Sequence, residues 1–219
     1  MSTHSAAHAA SMDRLYRVQR HVYDLSRKYY LIGRDRMIAD LEPPPGGTVL
    51  EIGCGTGRNL VAAAKRYPDA KFYGLDISKV MLRSAETAIR RAGVGDRVSL
   101  VRSDATLFDP RSSLGLERFD RVMASYSISM IPPWQQALRH GLALTAPGGS
   151  FSVVEFGLCE GWPDWCQTAL YAWLAKFRVT PRVDLMPVTE AAAAEFGADV
   201  TATSLWRGYV TYLRIARPQ

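Results

Sequence analysis

A short run from Val49 to Gly57 constrains the fold more than any other stretch of the chain. It reads VLEIGCGTG, an apolar run that meets an acidic residue and continues into three glycines at alternate positions. Such a run is typical of a buried strand, and the glycines predict a tight loop that leads into a helix. Because glycine has no Cβ, a ligand can lie directly against the backbone of this loop.

The spacing of these glycines distinguishes two kinds of nucleotide-binding loop. Dinucleotide-binding loops usually read G-x-G-x-x-G, whereas Gly53, Gly55 and Gly57 follow Glu51 as G-x-G-x-G. The pattern resembles motif I of the Rossmann-like S-adenosylmethionine-dependent methyltransferases. That resemblance implies an α/β fold with a seven-stranded, mostly parallel sheet. It also implies an antiparallel last strand, in a hairpin predicted over 199–216, and S-adenosylmethionine as the cofactor.

Acidic residues also close the next two predicted strands. Asp76 lies about twenty residues after the glycines, where the ribose hydroxyls of a bound nucleoside are expected. Asp104 and Ala105 follow the third strand, a position that the resemblance assigns to the adenine amino group. Ile77 is predicted to pack on the adenine or to belong to the core. The alternative for both aspartates is a local cap on the following turn or helix.

The fourth predicted strand ends in Ser125 and Tyr126, which are candidates for contacting the methionine part of the cofactor. A buried, hydrogen-bonded tyrosine is the alternative. The Asp/Asn-Pro-Pro-aromatic tetrad of methyltransferases that act on nucleic-acid or protein amides is absent, since 125–133 read SYSISMIPP. No histidine follows the strand, which excludes a histidine base there. The expected cofactor-binding residues are therefore Glu51, Gly53, Gly55, Gly57, Asp76, Ile77, Asp104, Ala105, Ser125 and Tyr126.

Length and composition fit one α/β domain. The 219 residues are 47% hydrophobic, enough for one full domain with a buried core. Three cysteines form no closely spaced framework, so we expect reduced thiols in a cytoplasmic protein. With no signal peptide and no run of about eighteen apolar residues, the chain is not expected to cross a membrane. The net charge of +6 allows an anionic partner.

The N-terminal part divides into two segments. Residues 1–11 lack periodicity and are predicted to be a disordered tail, whereas 12–219 form the predicted methyltransferase domain. Apolar residues recur at helical spacing from Leu15 to Ile32, which predicts a helical segment over 12–42. This segment either packs on the domain with its arginines solvated or, as in many methyltransferases, forms a lid over the open edge of the sheet.

A narrower resemblance starts in the same segment. Residues 21–36, HVYDLSRKYYLIGRDR, closely resemble the N-terminal signature of the bacterial N-methyltransferases of betaine-lipid synthesis. That family converts diacylglyceryl-homoserine to diacylglyceryl-N,N,N-trimethylhomoserine. The resemblance implies a cytoplasmic enzyme, peripheral on the inner face of the membrane, and a pathway partner that makes its lipid substrate. The alternative is a small-molecule methyltransferase that acts on another amine or on a quinone or phenol.

Methyl transfer from a sulfonium is an in-line displacement, so the protein mainly has to align the donor with a neutral amine. Neither a metal nor a strong nucleophile is needed. Tyrosines can hydrogen-bond the amine and stabilise the ammonium product through their ring faces, and the candidates are Tyr23, Tyr30 and Tyr126. Arg27 or Arg34 is expected to bind the homoserine carboxylate through two hydrogen bonds.

Residues 158–188 are dense in aromatic and apolar side chains with cations close by. Methyltransferases commonly carry a substrate-binding insertion at this position. A helix packed on the sheet is the alternative, but aromatics beside cations suit contact with membrane headgroups. We therefore expect this insertion to bind a lipid headgroup at an anionic membrane surface. Nucleic acid is not expected as a partner, and the oligomeric state is left open.

Overall fold

The computed structural model describes residues 31–175, 179 and 181–219, which form a seven-stranded sheet in the order β3-β2-β1-β4-β5-β7-β6. Its strands are β1 (Thr48–Ile52), β2 (Lys71–Asp76), β3 (Val98–Arg102), β4 (Phe119–Ser125), β5 (Thr145–Phe156), β6 (Asp199–Leu205) and β7 (Val210–Ala216). Strands β1 to β5 pair in parallel, and β7 runs antiparallel to both β5 and β6. The predicted fold class and the antiparallel last strand are confirmed.

Helices alternate with the strands as the motif spacing predicts. The described helices are α1 (Arg34–Ala39), α2 (Arg58–Arg66), α3 (Lys79–Ala92), α4 (Pro110–Leu114), α5 (Trp134–Ala143), α6 (Asp164–Ala175) and α7 (Leu185–Ala194), with a 3₁₀ turn at Ile128–Met130. Helix α3 begins where Ser78 Oγ accepts a hydrogen bond from Met81 N, and it ends at Gly93, which is left-handed. In the described residues, no helix is both long and apolar enough to cross a membrane.

The core lies in two hydrophobic clusters, one on each face of the sheet. Successive residues of β1 point to opposite faces, so Val49 joins one cluster and Leu50 the other. Side chains of α1, α2 and α3 complete the first cluster, and side chains of α5 and α7 complete the second. The open carboxyl ends of the parallel strands therefore lie between two helical layers, where ligands of open α/β sheets bind.

The start of the described chain packs on the sheet. Met37 and Ile38 are buried in the first cluster. A Cβ on Gly33 would lie 3.1 Å from Val210 Cγ1 and 3.4 Å from Val154 Cγ1, so this backbone touches β5 and β7. Residues 1–30 lie outside the described residues, and with them the tail, most of the expected lid and the candidates Tyr23, Arg27 and Tyr30. The lid stays a prediction.

Candidate functional site

The glycine loop joins the carboxyl end of β1 to α2, as predicted. The amides of Gly53 and Cys54 donate to Leu75 O at 2.8 and 2.9 Å, which ties the loop to β2. A Cβ on Gly53 would lie 2.5 Å from Ser127 Cβ, and one on Gly57 would lie 3.0 Å from Ala85 Cβ. A Cβ on Gly55 would meet nothing within 4 Å. Two glycines thus permit close packing, while Gly55 borders open space.

Asp76 orders this loop from the end of β2. Its Oδ2 accepts a hydrogen bond from Gly55 N and its Oδ1 accepts one from Ser78 N, both at 2.8 Å. The carboxylate therefore fixes both the loop and the start of α3. The ribose contact of Asp76 stays a prediction.

Glu51 is buried beneath the loop at the end of β1. Asn59 Nδ2, from the first turn of α2, donates to Glu51 Oε1 at 2.8 Å. Burial raises the pKa of Glu51 to about 8, although the Asn59 hydrogen bond and the charge of Arg34 favour the carboxylate. Glu51 Oε2 and Asn59 Oδ1 are buried without a hydrogen-bond partner in the described residues. Asn59 was not predicted; its only signal is a polar residue in a mostly apolar helix.

Asp104 makes a local turn after β3. Its Oδ1 accepts hydrogen bonds from Thr106 N at 2.9 Å and Thr106 Oγ1 at 2.7 Å. This geometry is the local role considered as the alternative, and the adenine contact stays a prediction. Ala105 packs against the second cluster, whereas the half-buried Ile77 belongs to neither cluster of the described chain. The adenine contact of Ile77 stays a prediction.

Tyr126 is buried at the end of β4 and has a left-handed backbone with φ of 52°. Its hydroxyl donates to Ile32 O at 2.6 Å, and its ring lies 4.6 Å from the ring of Phe156. Burial raises the pKa of Tyr126 far above its ordinary value, so the hydroxyl keeps its proton. Its catalytic role stays a prediction, and its hydroxyl proton is already donated to Ile32 O. Ser125 Oγ is buried without a partner in the described chain.

Arg34 is buried where α1 begins. Its Nε donates to Leu31 O at 2.8 Å, so the carboxylate contact predicted for Arg34 would have to use the two terminal nitrogens of the guanidinium. The charge of Arg34 lowers the pKa of Glu51 and of Tyr126. The positive charge of Arg34 therefore favours the ionised form of Glu51, which lies beneath the glycine loop.

Two residues that sequence reasoning missed lie beside the 3₁₀ turn after β4. Glu155, near the end of β5, is 2% exposed, and its Oε1 accepts a hydrogen bond from Ser129 N at 3.1 Å. Arg182 Nη2 donates to Ser129 O at 2.9 Å, and its guanidinium lies over the Trp134 ring at 5.6 Å. Burial raises the pKa of Glu155 to about 7. The only sequence signal was an acid within the apolar run SFSVVEF.

Exposed tryptophans lie at the carboxyl end of β6 and in α6. Trp206 is 55% exposed and Trp165 is 73% exposed. The two segments meet because Cys159 N donates to Gly208 O at 2.8 Å and Trp162 stacks on Tyr209 with ring centroids 6.0 Å apart. Part of the predicted insertion packs on the domain through the buried Leu174, and part of it is exposed. The contact of 158–188 with a lipid headgroup stays a prediction.

Residues 49–149 match the model of a family described as a methyltransferase domain. The match, together with the glycine loop and the seven-stranded sheet, supports an S-adenosylmethionine-dependent methyltransferase. The chain is 27% identical to the demethylmenaquinone methyltransferase of Geobacillus kaustophilus over 68% of this chain and 65% of that protein. It is 29% identical to a ubiquinone/menaquinone biosynthesis C-methyltransferase of Cereibacter sphaeroides over 60% of this chain and 51% of that protein. The chain spans 34% to 65% of the length of the first curated relatives that it matches.

Solved structures share the fold of the methyltransferase domain. A methyltransferase from Aquifex aeolicus superposes with a TM-score of 0.63 at 15% identity, over 86% of this chain and 92% of that one. An O-methyltransferase family 2 protein from Planctomyces limnophilus superposes with a TM-score of 0.67 at 17% identity, over 88% of this chain and 60% of that one. The cyclase SpnF superposes with a TM-score of 0.64 at 19% identity, over 84% of this chain and 79% of that one. A fold that serves both a methyltransferase and a cyclase does not by itself decide the reaction.

The domain implies S-adenosylmethionine as its cofactor, and the residues present fit that molecule. Open space next to Gly55 leaves backbone accessible to a ligand. Three buried polar atoms without partners in the described chain lie at the ends of β1 and β4 and in the first turn of α2: Glu51 Oε2, Asn59 Oδ1 and Ser125 Oγ. They can accept hydrogen bonds from the ammonium and hydroxyl groups of the cofactor. Among the described residues, no group of His, Cys, Asp and Glu is arranged to hold a metal ion.

Proposed function

We propose that the chain is an S-adenosylmethionine-dependent N-methyltransferase that adds methyl groups successively to the homoserine amine of diacylglyceryl-homoserine. The proposal rests on one observation: the glycine loop and the exposed tryptophans lie at the same edge of the sheet. Both lie at the carboxyl edge of the sheet, since β1 and β6 both end there. A lipid surface that touches the tryptophans would therefore lie along the same edge of the sheet as the donor site.

The cofactor supplies an electrophilic methyl group on a sulfonium. Glu51, Asn59 and Ser125 would hold its polar groups, and Asp76 would hold its ribose. The protein's remaining task is to bring the acceptor nitrogen into line and to exclude water. No strong nucleophile is required of the chain.

The lipid part of the proposal is supported by the turn between β6 and β7. Trp206 and Arg207 have φ of 49° and 54°, a left-handed conformation that large side chains rarely adopt. Both side chains are exposed, so packing does not explain the strain, and strained residues often serve binding. An exposed tryptophan beside an arginine suits the level of lipid headgroups. This turn adds to the predicted insertion a second contact with an anionic membrane.

The N-terminal signature of 21–36 supports the same substrate. Its residues up to Tyr30 lie outside the described chain, so the role of Tyr23, Arg27 and Tyr30 around the acceptor amine stays part of the proposal. The proposal also includes a cytoplasmic location on the inner face of the membrane and a partner enzyme that supplies diacylglyceryl-homoserine.

A quinone or phenol acceptor is the second candidate. It is favoured by the similarity to relatives named for demethylmenaquinone and for ubiquinone/menaquinone biosynthesis. Such an acceptor is also hydrophobic and would reach the domain from a membrane. The two candidates differ in the reacting atom, because a quinone precursor lacks the amine and the carboxylate of homoserine.

Incubation of the purified full chain with methyl-labelled donor tests the two candidates side by side. One set of anionic vesicles contains diacylglyceryl-homoserine and the other contains reduced demethylmenaquinone. We expect labelled mono-, di- and trimethylated lipid by mass spectrometry in the first set only. Label in the quinone alone would replace the proposal by the second candidate, and label in neither lipid would refute both.

A further inference from the structure

Glu155 and Arg182 form a pair of opposite charges on the two sides of one residue. Ser129 donates its amide proton to Glu155 Oε1, and its carbonyl accepts from Arg182 Nη2. Glu155 Oε2 and Arg182 Nε are both buried and have no hydrogen-bond partner in the described residues. Thus a carboxylate oxygen and a guanidinium N–H each have one unused hydrogen-bonding position.

The local fold already provides partners for the rest of both groups. Glu155 Oε1 accepts from Ser129 N, and the Ser129 hydroxyl and the Ile128 amide also favour its carboxylate. Arg182 Nη2 donates to Ser129 O. Burying charged groups without full hydrogen bonding is unfavourable. The two side chains also do not form an ion pair within 4 Å, since the described salt bridges join other residues. A ligand that carries both a cation and an anion would satisfy both positions.

The pair lies close to the donor site. The 3₁₀ turn that separates Glu155 from Arg182 continues directly from Ser127, whose Oγ donates to Ile52 O at 2.8 Å. A Cβ on Gly53 of the glycine loop would touch the same Ser127. The glycine loop and Glu155 therefore contact neighbouring residues of one short turn.

We propose that Glu155 and Arg182 are the acceptor site, with Glu155 binding the α-amino group and Arg182 binding the α-carboxylate of an amino-acid headgroup. The assignment rests on the proposed N-methyltransferase function and names the residues that recognise its substrate class. It moves the carboxylate contact from Arg27 or Arg34 to Arg182. Arginine suits this role because its N–H groups match the geometry of a carboxylate.

Glu155 also provides a route for the proton. An α-ammonium group has to lose one proton before its nitrogen lone pair can form a bond to carbon. The carboxylate of Glu155 would take this proton and pass it to water before the next cycle. In each cycle one N–CH₃ bond would form at the acceptor as the S–CH₃ bond of the donor breaks and a neutral thioether leaves. Because burial raises the pKa of Glu155 to about 7, the carboxylate is a better base than an exposed glutamate. The charged and titratable groups that influence it are Arg182 and Tyr126.

Two acceptors and two pairs of variants test the site in the full chain. The acceptors are a short-chain diacylglyceryl-homoserine and its carboxyl methyl ester. The variants are Glu155→Gln and Arg182→Gln. The controls are Glu195→Gln and Arg139→Gln, which remove an exposed ion pair between α5 and the residue that follows α7. Glu155→Gln keeps an oxygen that can accept from Ser129 N. Thermal melting and calorimetric titration with the donor verify that each variant folds and keeps its cofactor site.

We expect Glu155→Gln to lower kcat for the homoserine lipid by about 100-fold or more and to remove the rise in rate between about pH 6 and 8. Arg182→Gln is expected to raise KM for the carboxylate acceptor by about 10- to 100-fold, while KM for the ester changes little. Both control variants should behave like the wild type.

Calorimetric titration with the same two acceptors shows whether the site assignment or the proposed function is wrong. If the wild type turns over the lipid and neither variant changes its kinetics, the site assignment is wrong and the function stands. If the wild type gives no methylated lipid but binds the carboxylate acceptor more tightly than both variants do, the site stands and the proposed function fails. Equal binding by all variants without turnover overturns both.

Discussion

Asp76 and Gly55 are joined by a 2.8 Å hydrogen bond from the Gly55 amide to Oδ2 of the carboxylate. The other carboxylate oxygen accepts from Ser78 N. One side chain at the end of β2 therefore holds the loop that borders the donor site and the helix that follows β2. A ribose bound to this carboxylate would be fixed relative to the loop without further ordering.

Substitution of Asp76 is expected to abolish donor binding. Asp76→Ala removes both the predicted ribose contact and the acceptor that positions Gly55, so calorimetric titration with S-adenosylmethionine should show no measurable binding. Asp76→Asn keeps one acceptor oxygen but places an NH₂ group next to a backbone N–H, so affinity should fall by tenfold or more, on the order of one lost charge-assisted hydrogen bond. Asp69→Ala, which changes an exposed acid after α2, is the control. Near-normal affinity in Asp76→Ala would refute the ribose assignment.

Substitutions at two glycines of the loop are expected to have different effects: one should mainly lower donor affinity and the other should mainly lower stability. Gly55→Ala places its Cβ in open space, so the protein should fold with a loss of about 1 to 2 kcal/mol from left-handed strain while donor affinity falls. Gly53→Ala places a Cβ 2.5 Å from Ser127 Cβ, so its main effect should be a lower melting temperature. Melting curves and titrations of both variants check this. A Gly55→Ala protein with wild-type affinity would show that no ligand approaches that position.

Local features of the site could be read from the sequence, whereas contacts between distant segments could not. The glycine loop, Asp76 and the final hairpin depend on backbone geometry set by adjacent residues, and all three lie where the pattern predicts. For Tyr126 the sequence left open a ligand contact or a buried hydrogen bond, and it gave no sign that the hydroxyl would donate to Ile32 O, 94 positions away. Glu155 and Arg182 both hydrogen-bond Ser129 from distant parts of the chain. Nothing in the local pattern around these three residues indicates that they converge.

Buried glutamates should make the stability of the protein depend on pH. The pKa of Glu51 is raised to about 8 and that of Glu155 to about 7, from 4.5 in the unfolded chain. Between these values the folded state binds more protons than the unfolded state, so the free energy of unfolding falls as pH rises. Where a group is protonated only in the folded state, the slope is about 1.4 kcal/mol per pH unit. Below about pH 4.5 and above about pH 8, these two groups should contribute no further change.

Glu51→Gln tests this linkage. The variant cannot ionise, and its amide can still accept from Asn59 Nδ2, so its stability should fall less steeply between about pH 5 and 8 than that of the wild type. Denaturant unfolding at several pH values measures the slope. Glu86→Gln, at an exposed position of α3, should leave the slope unchanged. A wild-type stability that rises over this interval would contradict the assigned protonation of both glutamates.

Trp206 and Trp165 are both expected to contribute to binding of the protein to vesicles. Burial of a large apolar side chain contributes about 1.5 to 3 kcal/mol, so Trp206→Ala should weaken binding to anionic vesicles by on the order of tenfold, and the double variant by more. Arg207→Gln should reduce binding about fivefold, since a cation near an anionic surface contributes about 1 kcal/mol, and this part of the binding should disappear at high salt. Leu107→Ala is the matched control, because Leu107 is also exposed but follows β3, the outer strand on the other side of the sheet from β6. Co-sedimentation measures all four variants. Equal binding by Trp206→Ala and Leu107→Ala would place the membrane contact elsewhere on the protein.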